Sequence, residues 1–282
     1  MASEKNGGSY RDMLGEILTK REYEEMVKGY DILGNIAILD IPKSLRKKEK
    51  KIADIIMKIH PSVKTVMAKA GAISGKLRIR GFRHVAGEKN KIATYRENNC
   101  VFKFDITRTF FSNRLSFERK RIVDLVKDKE KVLVLFSGVG PFSVEIAKAH
   151  PGCKVVGVEL NKYASKAAEE NVVLNKVTNV KCINADVRKA TSKLKNSADR
   201  MIVPMPTASL GFLDEISVYA KKRAVVHLYS FGAAETVFAD IADRLGKHAK
   251  ANDYNIQIIS KRVVGSYSSR EIEVVIDYII KK

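Results

Sequence analysis

From Lys131 onward, short apolar runs alternate with amphipathic segments along the chain. The run "KVLVLF" is followed by "PFSVEIAKAH", and the run "CKVVGVEL" by "NKYASKAAEENVVLNK". Apolar runs without polar alternation are typical of strands that are buried on both faces, and helices between them supply the covering layers. The second half of the chain therefore predicts an α/β fold with a parallel sheet. Ligands of such sheets bind beyond the carboxyl ends of the strands.

The first part of the chain, up to about Lys129, has a different pattern. "YDILGNIAILDIP" predicts two short strands joined by a Gly34-Asn35 turn, and "SLRKKEKKIADIIMKIH" predicts a helix with a lysine-rich face. "GKLRIRGFRHVAG" predicts a strand that carries several arginines. We therefore divide the chain into an N-terminal extension at 1–29, a small α+β domain at 30–129 and the α/β domain at 130–282.

Net charge is the strongest global feature, with 52 Lys+Arg against 32 Asp+Glu and a formal charge of +20. Such an excess attracts polyanions, and nucleic acid is the commonest of them because phosphate contacts release counterions. The basic residues are spread along the chain, which disfavours a membrane surface. No apolar run approaches the roughly 20 residues of a membrane-spanning helix, and the N-terminus lacks a signal-peptide pattern. We expect a cytoplasmic protein.

Two glycines stand where the first strand of the α/β part passes into its first helix. Gly138 and Gly140 either shape this turn or let the backbone approach a ligand closely. The next strand ends in Glu159, which could accept hydrogen bonds from two ribose hydroxyls, and the one after it ends at Asp186. Each acid could instead cap a helix or lie on the surface. A dinucleotide fingerprint needs glycine or alanine where Ser143 stands, so the turn suits S-adenosylmethionine better.

Motifs from about Tyr30 to the C-terminus resemble the archaeal and eukaryotic tRNA guanosine-37 N1-methyltransferase family. This resemblance implies a Rossmann-like class I S-adenosylmethionine-dependent methyltransferase domain and a smaller N-terminal domain that binds RNA. We expect a monomer that needs no metal and whose basic N-terminal domain binds the tRNA anticodon arm. The sister wybutosine-pathway aminocarboxypropyl transferase and a noncatalytic tRNA-binding relative remain alternatives. The motifs are "YDILGNIAILDIP", "LRIRGFRHVAGE", "FFSNRLSFERKRI", "LFSGVGPFSVEIA", "VVGVELNKYASKAAEENVVLNK", "NADVR" and "VVGSYSSREIEVVIDYI".

The resemblance also implies roles for individual residues. Glu118 would be the general base and Arg78 would contact the target guanine. Guanine N1 carries a proton near neutral pH, so its methylation needs a base, and a guanidinium stabilises the charge that develops on O6. From the residues alone, Glu118 and Arg119 could be an exposed helix pair, and Arg78 could contact a phosphate. The residues implied to bind the cofactor are Phe110, Arg114, Arg119, Phe136, Gly138, Gly140, Glu159 and Asp186.

The sequence departs from the family pattern at two positions. Pro204 stands where the family usually has an asparagine that holds the guanine, and proline offers only its carbonyl. Val134 stands where relatives often carry an acid, so one contact to the amino group of the cofactor would be lost. Fewer than about thirty residues precede Tyr30. We expect these to be too few for the further module with which many archaeal relatives inspect the outer corner of tRNA.

The charge excess predicts that tRNA binding weakens steeply as the salt concentration rises. Each neutralised phosphate releases a counterion, so the logarithm of the association constant falls linearly with the logarithm of the salt concentration. In filter-binding titrations we expect a loss of at least about a hundredfold in affinity between about 50 and 200 mM monovalent salt. An affinity that is flat across this range would contradict the role given to the basic residues.

Overall fold

The computed structural model describes residues 9–27, 29–72, 75, 77, 79–190, 194–266, 268 and 270–282. The chain forms two compact units. The first comprises Met1–Glu97 and Val101–Asn113, and the second comprises Asn98–Cys100 and Arg114–Lys282. Within the described ranges, no helix is long and apolar enough to cross a membrane.

The first unit is a small α+β domain, as the sequence predicts. Strands β1 to β4 form one sheet in that order, in which β2 and β3 are parallel and the other neighbours are antiparallel. β5 and β6 form a separate two-stranded sheet. The elements are α1 (Tyr10–Ile17), α2 (Lys20–Glu25), β1 (Tyr30–Leu33), β2 (Ile36–Leu39), a 3₁₀ helix (Lys43–Lys48), α3 (Glu49–Ile59), β3 (Thr65–Lys69), β4 (Phe82–Gly87), β5 (Ile92–Glu97) and β6 (Cys100–Asp105).

The predicted strand–turn–strand at the start of this unit is confirmed. β1 and β2 pair antiparallel, with Leu33 opposite Ile36 across the turn. Gly34 has a φ of +61°, and a Cβ at this position would overlap the carbonyl oxygen of Thr94. Glycine is therefore required there both by the turn and by the close approach of the β5 backbone.

The prediction that residues 1–29 are a separate extension is wrong for the part that the structure describes. Tyr10 and Leu14 lie one turn apart on α1, and both are buried in the same apolar cluster as Ile52 and Ile56 of α3. Ser9 and Asp12 form a capping box that fixes the start of α1. The spacing of the apolar residues places this helix in the core of the first unit.

The second unit contains one sheet with the strand order β12-β13-β11-β10-β7-β8-β9. β7 to β11 are mutually parallel, while β13 runs antiparallel to both β11 and β12. Its elements are α4 (Ser116–Leu125), β7 (Lys131–Leu135), α5 (Pro141–Ala149), β8 (Lys154–Glu159), α6 (Lys162–Leu174), β9 (Val180–Asn184), β10 (Ala198–Val203), α7 (Leu213–Tyr219), β11 (Ala220–Ala233), α8 (Val237–Ala251), β12 (Asn255–Ser266) and β13 (Glu271–Lys281).

This sheet confirms the predicted α/β fold and locates its ligand-binding edge. The chain moves outward from β7 through β8 to β9, and then returns to the other side of β7 with β10 and β11. The strand order therefore reverses between β7 and β10. In open parallel sheets, ligands bind beyond the carboxyl ends of the strands at such a reversal.

The domain boundary at residue 130 is wrong, because α4 belongs to the second unit. Ile122 and Val123 of α4 are buried in one apolar cluster with Val132 and Val134 of β7. This packing joins the helix to the sheet that follows it in sequence. The boundary in the structure falls at Arg114, and β12 is an edge strand that the apolar pattern did not predict.

We expect the substitution Leu14→Ala to destabilise the protein, because Leu14 is completely buried in the core of the first unit. Removing a buried leucine side chain costs about 2–5 kcal/mol. Glu16→Ala, an exposed position on the same helix, is the matched control and should change the free energy of unfolding by less than about 0.5 kcal/mol. Urea unfolding measures both variants. Equal midpoints for the two would show that α1 is not part of the core.

Candidate active site

The segment between β7 and α5 turns back sharply at the ligand-binding edge. Phe136, Gly138 and Gly140 have φ values of +54°, +57° and +86°. Pro141 occupies the first turn of α5, so the chain enters this helix directly from the turn. A Cβ at Gly140 would lie 3.1 Å from Cβ of Ala168 on α6. Gly140 is thus needed for the turn itself, and the free N–H groups at the start of α5 can meet an anionic group.

Glu159, the last residue of β8, connects the turns that follow two neighbouring strands. Its Oε2 accepts a hydrogen bond from the Gly138 amide at 2.8 Å, and its Oε1 accepts one from the Asn161 amide at 2.7 Å. Burial raises the pKa of Glu159, although these amide hydrogen bonds oppose the shift. Asn161 is the N-cap of α6, so the alternative that Glu159 caps this helix is wrong. Each carboxylate oxygen retains capacity for a further donor, such as a ribose hydroxyl.

Asp186 follows β9 and caps the short 3₁₀ helix at Val187–Lys189. Its Oδ1 accepts a hydrogen bond from the Arg188 amide at 2.9 Å. The alternative that Asp186 caps a helix is therefore confirmed. A carboxylate that caps through one oxygen can still accept further hydrogen bonds, so its predicted contact with the cofactor stays a prediction.

Phe136, at the start of the glycine turn, packs against a second aromatic ring that was not predicted from the sequence. The rings of Phe136 and Phe212 meet edge to face with their centroids 4.8 Å apart. The guanidinium of Arg188 lies 4.1 Å from the ring centroid of Phe212. Phe212 and Arg188 follow different strands, and no spacing in the chain indicates that they meet. Together with Phe136 they form an aromatic, mostly apolar surface of the kind that adenine packs against.

Glu118 and Arg119 are buried, with exposed fractions of 1% and 2%, so the alternative of an exposed helix pair is wrong. Both lie in the first half of α4. Oε1 of Glu118 accepts hydrogen bonds from the hydroxyl of Tyr229 at 2.8 Å and from Nε and Nη2 of Arg121 at 2.9 and 2.6 Å. Oε2 of Glu118 is buried and has no hydrogen-bond partner among the described residues.

The strand register locates the Glu118 carboxylate at the ligand-binding edge. Tyr229 follows Leu228, which pairs with Val203, the last residue of β10. Ile202 of β10 pairs with Val134 of β7, and each is the penultimate residue of its strand, so the two strands end at the same level. Tyr229 is therefore level with the turn that begins at Phe136. Because Glu118 is hydrogen-bonded to Tyr229, the buried carboxylate and the glycine turn lie along the same edge of the sheet.

Arg121 joins Glu118 to strand β13 of the sheet. Its Nη1 and Nη2 donate to the two carboxylate oxygens of Asp277 on β13 at 2.7 and 3.3 Å. Its Nε and Nη2 bind Glu118, so one guanidinium holds two buried carboxylates. The i,i+3 spacing of Glu118 and Arg121 and the lone acid in "VVIDYII" are signals that could have identified these residues from the sequence.

His227 continues the network from Asp277 to Arg200. Its Nδ1 lies 2.6 Å from Oδ1 of Asp277, and its Nε2 lies 2.7 Å from Nη1 of Arg200. A guanidinium only donates, so Nε2 accepts and Nδ1 carries the proton of a neutral imidazole. Complete burial lowers the pKa of His227 and outweighs the opposing carboxylate of Asp277. Arg200 also binds Glu130 through two hydrogen bonds.

Arg119 packs between α4 and α5. Its Nε lies 3.4 Å from Oε1 of Glu145, a residue that is equally buried. The other oxygen of Glu145 accepts a hydrogen bond from Nδ2 of Asn98 at 2.8 Å. The position of Arg119 is thus fixed by an ion pair inside the second unit, and its contact with a cofactor stays a prediction.

Phe110 belongs to the first unit and is 40% exposed, and Arg114 is exposed in the 3₁₀ helix at Asn113–Leu115. Arg78 lies outside the described residues. Pro204 directly follows β10, at the edge described above. Val134 is completely buried in the apolar cluster of the second unit, so its side chain serves packing.

No group of three or more His, Cys, Asp or Glu side chains that could hold a metal ion occurs among the residues the structure describes. Cys100 and Cys153 are buried free thiols, and Cys182 is a partly buried one.

Two family models match the chain. The TRM5/TYW2 methyltransferase domain matches residues 93–257, and the TYW2 N-terminal domain matches residues 10–90. The first match covers α4, the glycine turn, Glu159 and Asp186. It does not reach β13, which carries Asp277.

Individual relatives resemble the chain over most of its length. One from Pyrococcus abyssi, named tRNA (guanine(37)-N(1))-methyltransferase Trm5b, is 34% identical over 96% of this chain and 79% of its own. The crystal structure of Trm5b from that organism matches with a TM-score of 0.89 at 32% identity, over 99% of this chain and 82% of the other. One from Saccharolobus solfataricus, named tRNA 4-demethylwyosine(37)-methyltransferase Taw21, is 31% identical over 91% of this chain and 95% of its own.

A third similarity concerns a structure with a bound nucleoside. The crystal structure of Methanocaldococcus jannaschii Trm5 in complex with adenosine matches with a TM-score of 0.82 at 27% identity, over 97% of this chain and 78% of the other. Together these similarities confirm the predicted Rossmann-like methyltransferase fold.

The neutral state of His227 predicts a specific loss of stability at acidic pH. Burial lowers the folded-state pKa of His227 from the usual 6.5, so the neutral imidazole contributes its full stabilisation of the folded state above pH 6.5. This stabilisation is lost as the pH falls from 6.5 through the lowered pKa. Below pH 6.5 this group should remove up to about 1.4 kcal/mol of unfolding free energy per pH unit.

Urea unfolding of the wild type and His227→Gln between neutral pH and about pH 5 measures this effect. Glutamine offers a donor and an acceptor but does not titrate in this range. We expect the variant to lose stability less steeply than the wild type. Parallel curves would show that His227 is not held neutral by the fold.

Proposed function

The chain belongs to the TRM5/TYW2 methyltransferase family, and we propose that it transfers the methyl group of S-adenosylmethionine to N1 of guanosine 37 in tRNA. One observation carries the proposal. A buried carboxylate, Glu118, lies along the same sheet edge as the glycine turn and Glu159. The Pyrococcus abyssi relative, whose name gives this activity, is 34% identical to this chain over 96% of the chain's length.

The groups at the edge fit S-adenosylmethionine. Glu159 has acceptor capacity for the ribose hydroxyls, and the first amides of α5 suit the methionine carboxylate. The rings of Phe136 and Phe212 offer an apolar wall to adenine. Gly138 lets the backbone come close to the ligand. Bound there, the cofactor supplies an electrophilic methyl group on its sulfonium.

Glu118 acts as the base in this proposal. Guanine N1 is protonated near neutral pH, so its lone pair becomes available to the methyl group only when the proton leaves. The buried, unpartnered Oε2 of Glu118 is the acceptor for that proton. Burial keeps water away from the carboxylate, and a fixed position relative to the purine supplies much of the remaining rate acceleration.

The partner in this proposal is the anticodon arm of tRNA. The charge of +20 favours a polyanion, and the target guanine must leave its stack to reach an active site. The α+β unit is proposed to bind RNA. Arg78 is proposed to contact the target guanine, and Phe110 and Arg114 are proposed to contact the cofactor. We also propose that the protein acts as a monomer in the cytoplasm.

A second methyl acceptor is favoured by one observation. Pro204 offers no side-chain hydrogen bond where the family usually has asparagine. Saccharolobus solfataricus Taw21, whose name gives 4-demethylwyosine(37) as its substrate, is matched over 95% of its length. A tRNA that carries 4-demethylwyosine at position 37 is therefore the second candidate substrate.

Purified protein incubated with tRNA and S-adenosylmethionine should yield N1-methylguanosine at position 37. Mass analysis of the digested nucleosides distinguishes this product from an aminocarboxypropyl adduct or a methylated demethylwyosine.

Glu118→Gln should slow methylation by about a hundredfold or more while leaving tRNA affinity unchanged, because only the proton acceptor is lost. Asp124→Asn, an exposed acid on the same helix, should behave like the wild type.

Two outcomes would count against the proposal. Wild-type protein that binds tRNA and cofactor but leaves the nucleosides unchanged would be a noncatalytic relative. If Glu118→Gln methylates guanosine as fast as Asp124→Asn does, Glu118 is not the base.

A further inference from the structure

The two oxygens of the Glu118 carboxylate differ sharply in their surroundings. Oε1 accepts three hydrogen bonds, one from the hydroxyl of Tyr229 and two from the guanidinium of Arg121. Oε2 is buried and accepts none from the described residues. Because Oε1 already accepts three hydrogen bonds and Oε2 accepts none, Oε2 is the oxygen that can take a proton without breaking a hydrogen bond.

We propose that Tyr229 and Arg121 are positioning residues that hold Oε1 of Glu118 so that Oε2 faces the proton of the target base. This inference rests on the function proposed above, in which Glu118 is the base. It goes beyond that function by assigning the proton to one oxygen and by naming the residues that select it.

The donors are themselves held in place, which positioning requires. Arg121 is fixed by Asp277, and Asp277 is fixed by its contact with His227 in the middle of the sheet. Tyr229 is completely buried on β11. Burial raises the pKa of Tyr229 well above its usual value, so the hydroxyl keeps its proton and can donate. The rotamer of Glu118 is thus set by groups anchored in the sheet.

The reaction that this arrangement serves is balanced. The proton moves from guanine N1 to Oε2, and the electrons of the N–H bond stay on the purine. N1 then forms a bond to the methyl carbon as the carbon–sulfur bond breaks, and that electron pair returns to sulfur. Oε2 releases its proton to solvent when the product leaves. Oε1 keeps its three hydrogen bonds throughout, so no side chain in the network must move.

The competing explanation is that the network only ties α4 to the sheet. Tyr229→Phe separates the two explanations, because it removes one hydroxyl and keeps the ring that packs in the apolar cluster. We expect the single-turnover rate constant for methyl transfer to fall about tenfold near pH 7, with unchanged dissociation constants for tRNA and S-adenosylmethionine. The matched control is Tyr278→Phe, an equally buried tyrosine of β13 in the other apolar cluster of the second unit. It should react at the wild-type rate.

A second readout uses alkaline solution, where guanine N1 loses its proton to solvent and no base is needed. The defects of Tyr229→Phe and Glu118→Gln should then shrink together. Among the described residues, Arg121 on α4 and Tyr229 on β11 contact the carboxylate of Glu118, Asp277 on β13 contacts Arg121, and His227 on β11 contacts Asp277. Arg121→Lys keeps the charge but loses the two-armed contact, so its rate should lie between those of Arg121→Met and the wild type.

Each outcome decides the inference. A Tyr229→Phe rate within twofold of wild type at neutral pH would overturn it while leaving the proposed function intact. A defect that persists undiminished in alkaline solution, or that comes with weaker binding of tRNA, would show that Tyr229 only stabilises the fold. Wild-type protein that fails to methylate guanosine 37 would instead refute the proposed function.

Discussion

The hydrogen bonds that Arg121 and Tyr229 donate to Glu118 hold the start of α4 against the sheet. Buried charges are tolerated only when they are paired and hydrogen-bonded. Glu118, Arg121 and Asp277 satisfy this condition together, and none of them could be buried alone. The position of the candidate base is therefore a consequence of how charge is neutralised inside the second unit.

The proposed cofactor side of the site depends on a second, independent constraint. The chain must leave β7 and enter α5 within a few residues, and this requires positive φ values at Phe136, Gly138 and Gly140. Glu159 then fixes the turn by accepting the Gly138 amide. Because β7, β8, β10 and β11 are parallel neighbours, the turn and the Glu118 carboxylate share one edge.

The sequence was informative where structure is local. Continuous apolar runs predicted the parallel strands, and glycines between a strand and a helix predicted the turn. It was silent where partners are distant, since Glu118 and Tyr229 are 111 residues apart and Arg121 and Asp277 are 156 apart. The edge strand β12 was missed because its exposed residues interrupt the apolar pattern. The family resemblance named Glu118 as the candidate base, but only the folded chain distinguishes its two oxygens.

A structure of the protein bound to tRNA and S-adenosylhomocysteine would test the central claim most directly, through the distance between Oε2 of Glu118 and N1 of guanosine 37. We predict a separation of about 3 Å, within reach of direct proton transfer, with Oε1 still bound to Tyr229 and Arg121. An Oε1 atom turned toward N1, or a different side chain at that position, would contradict the account.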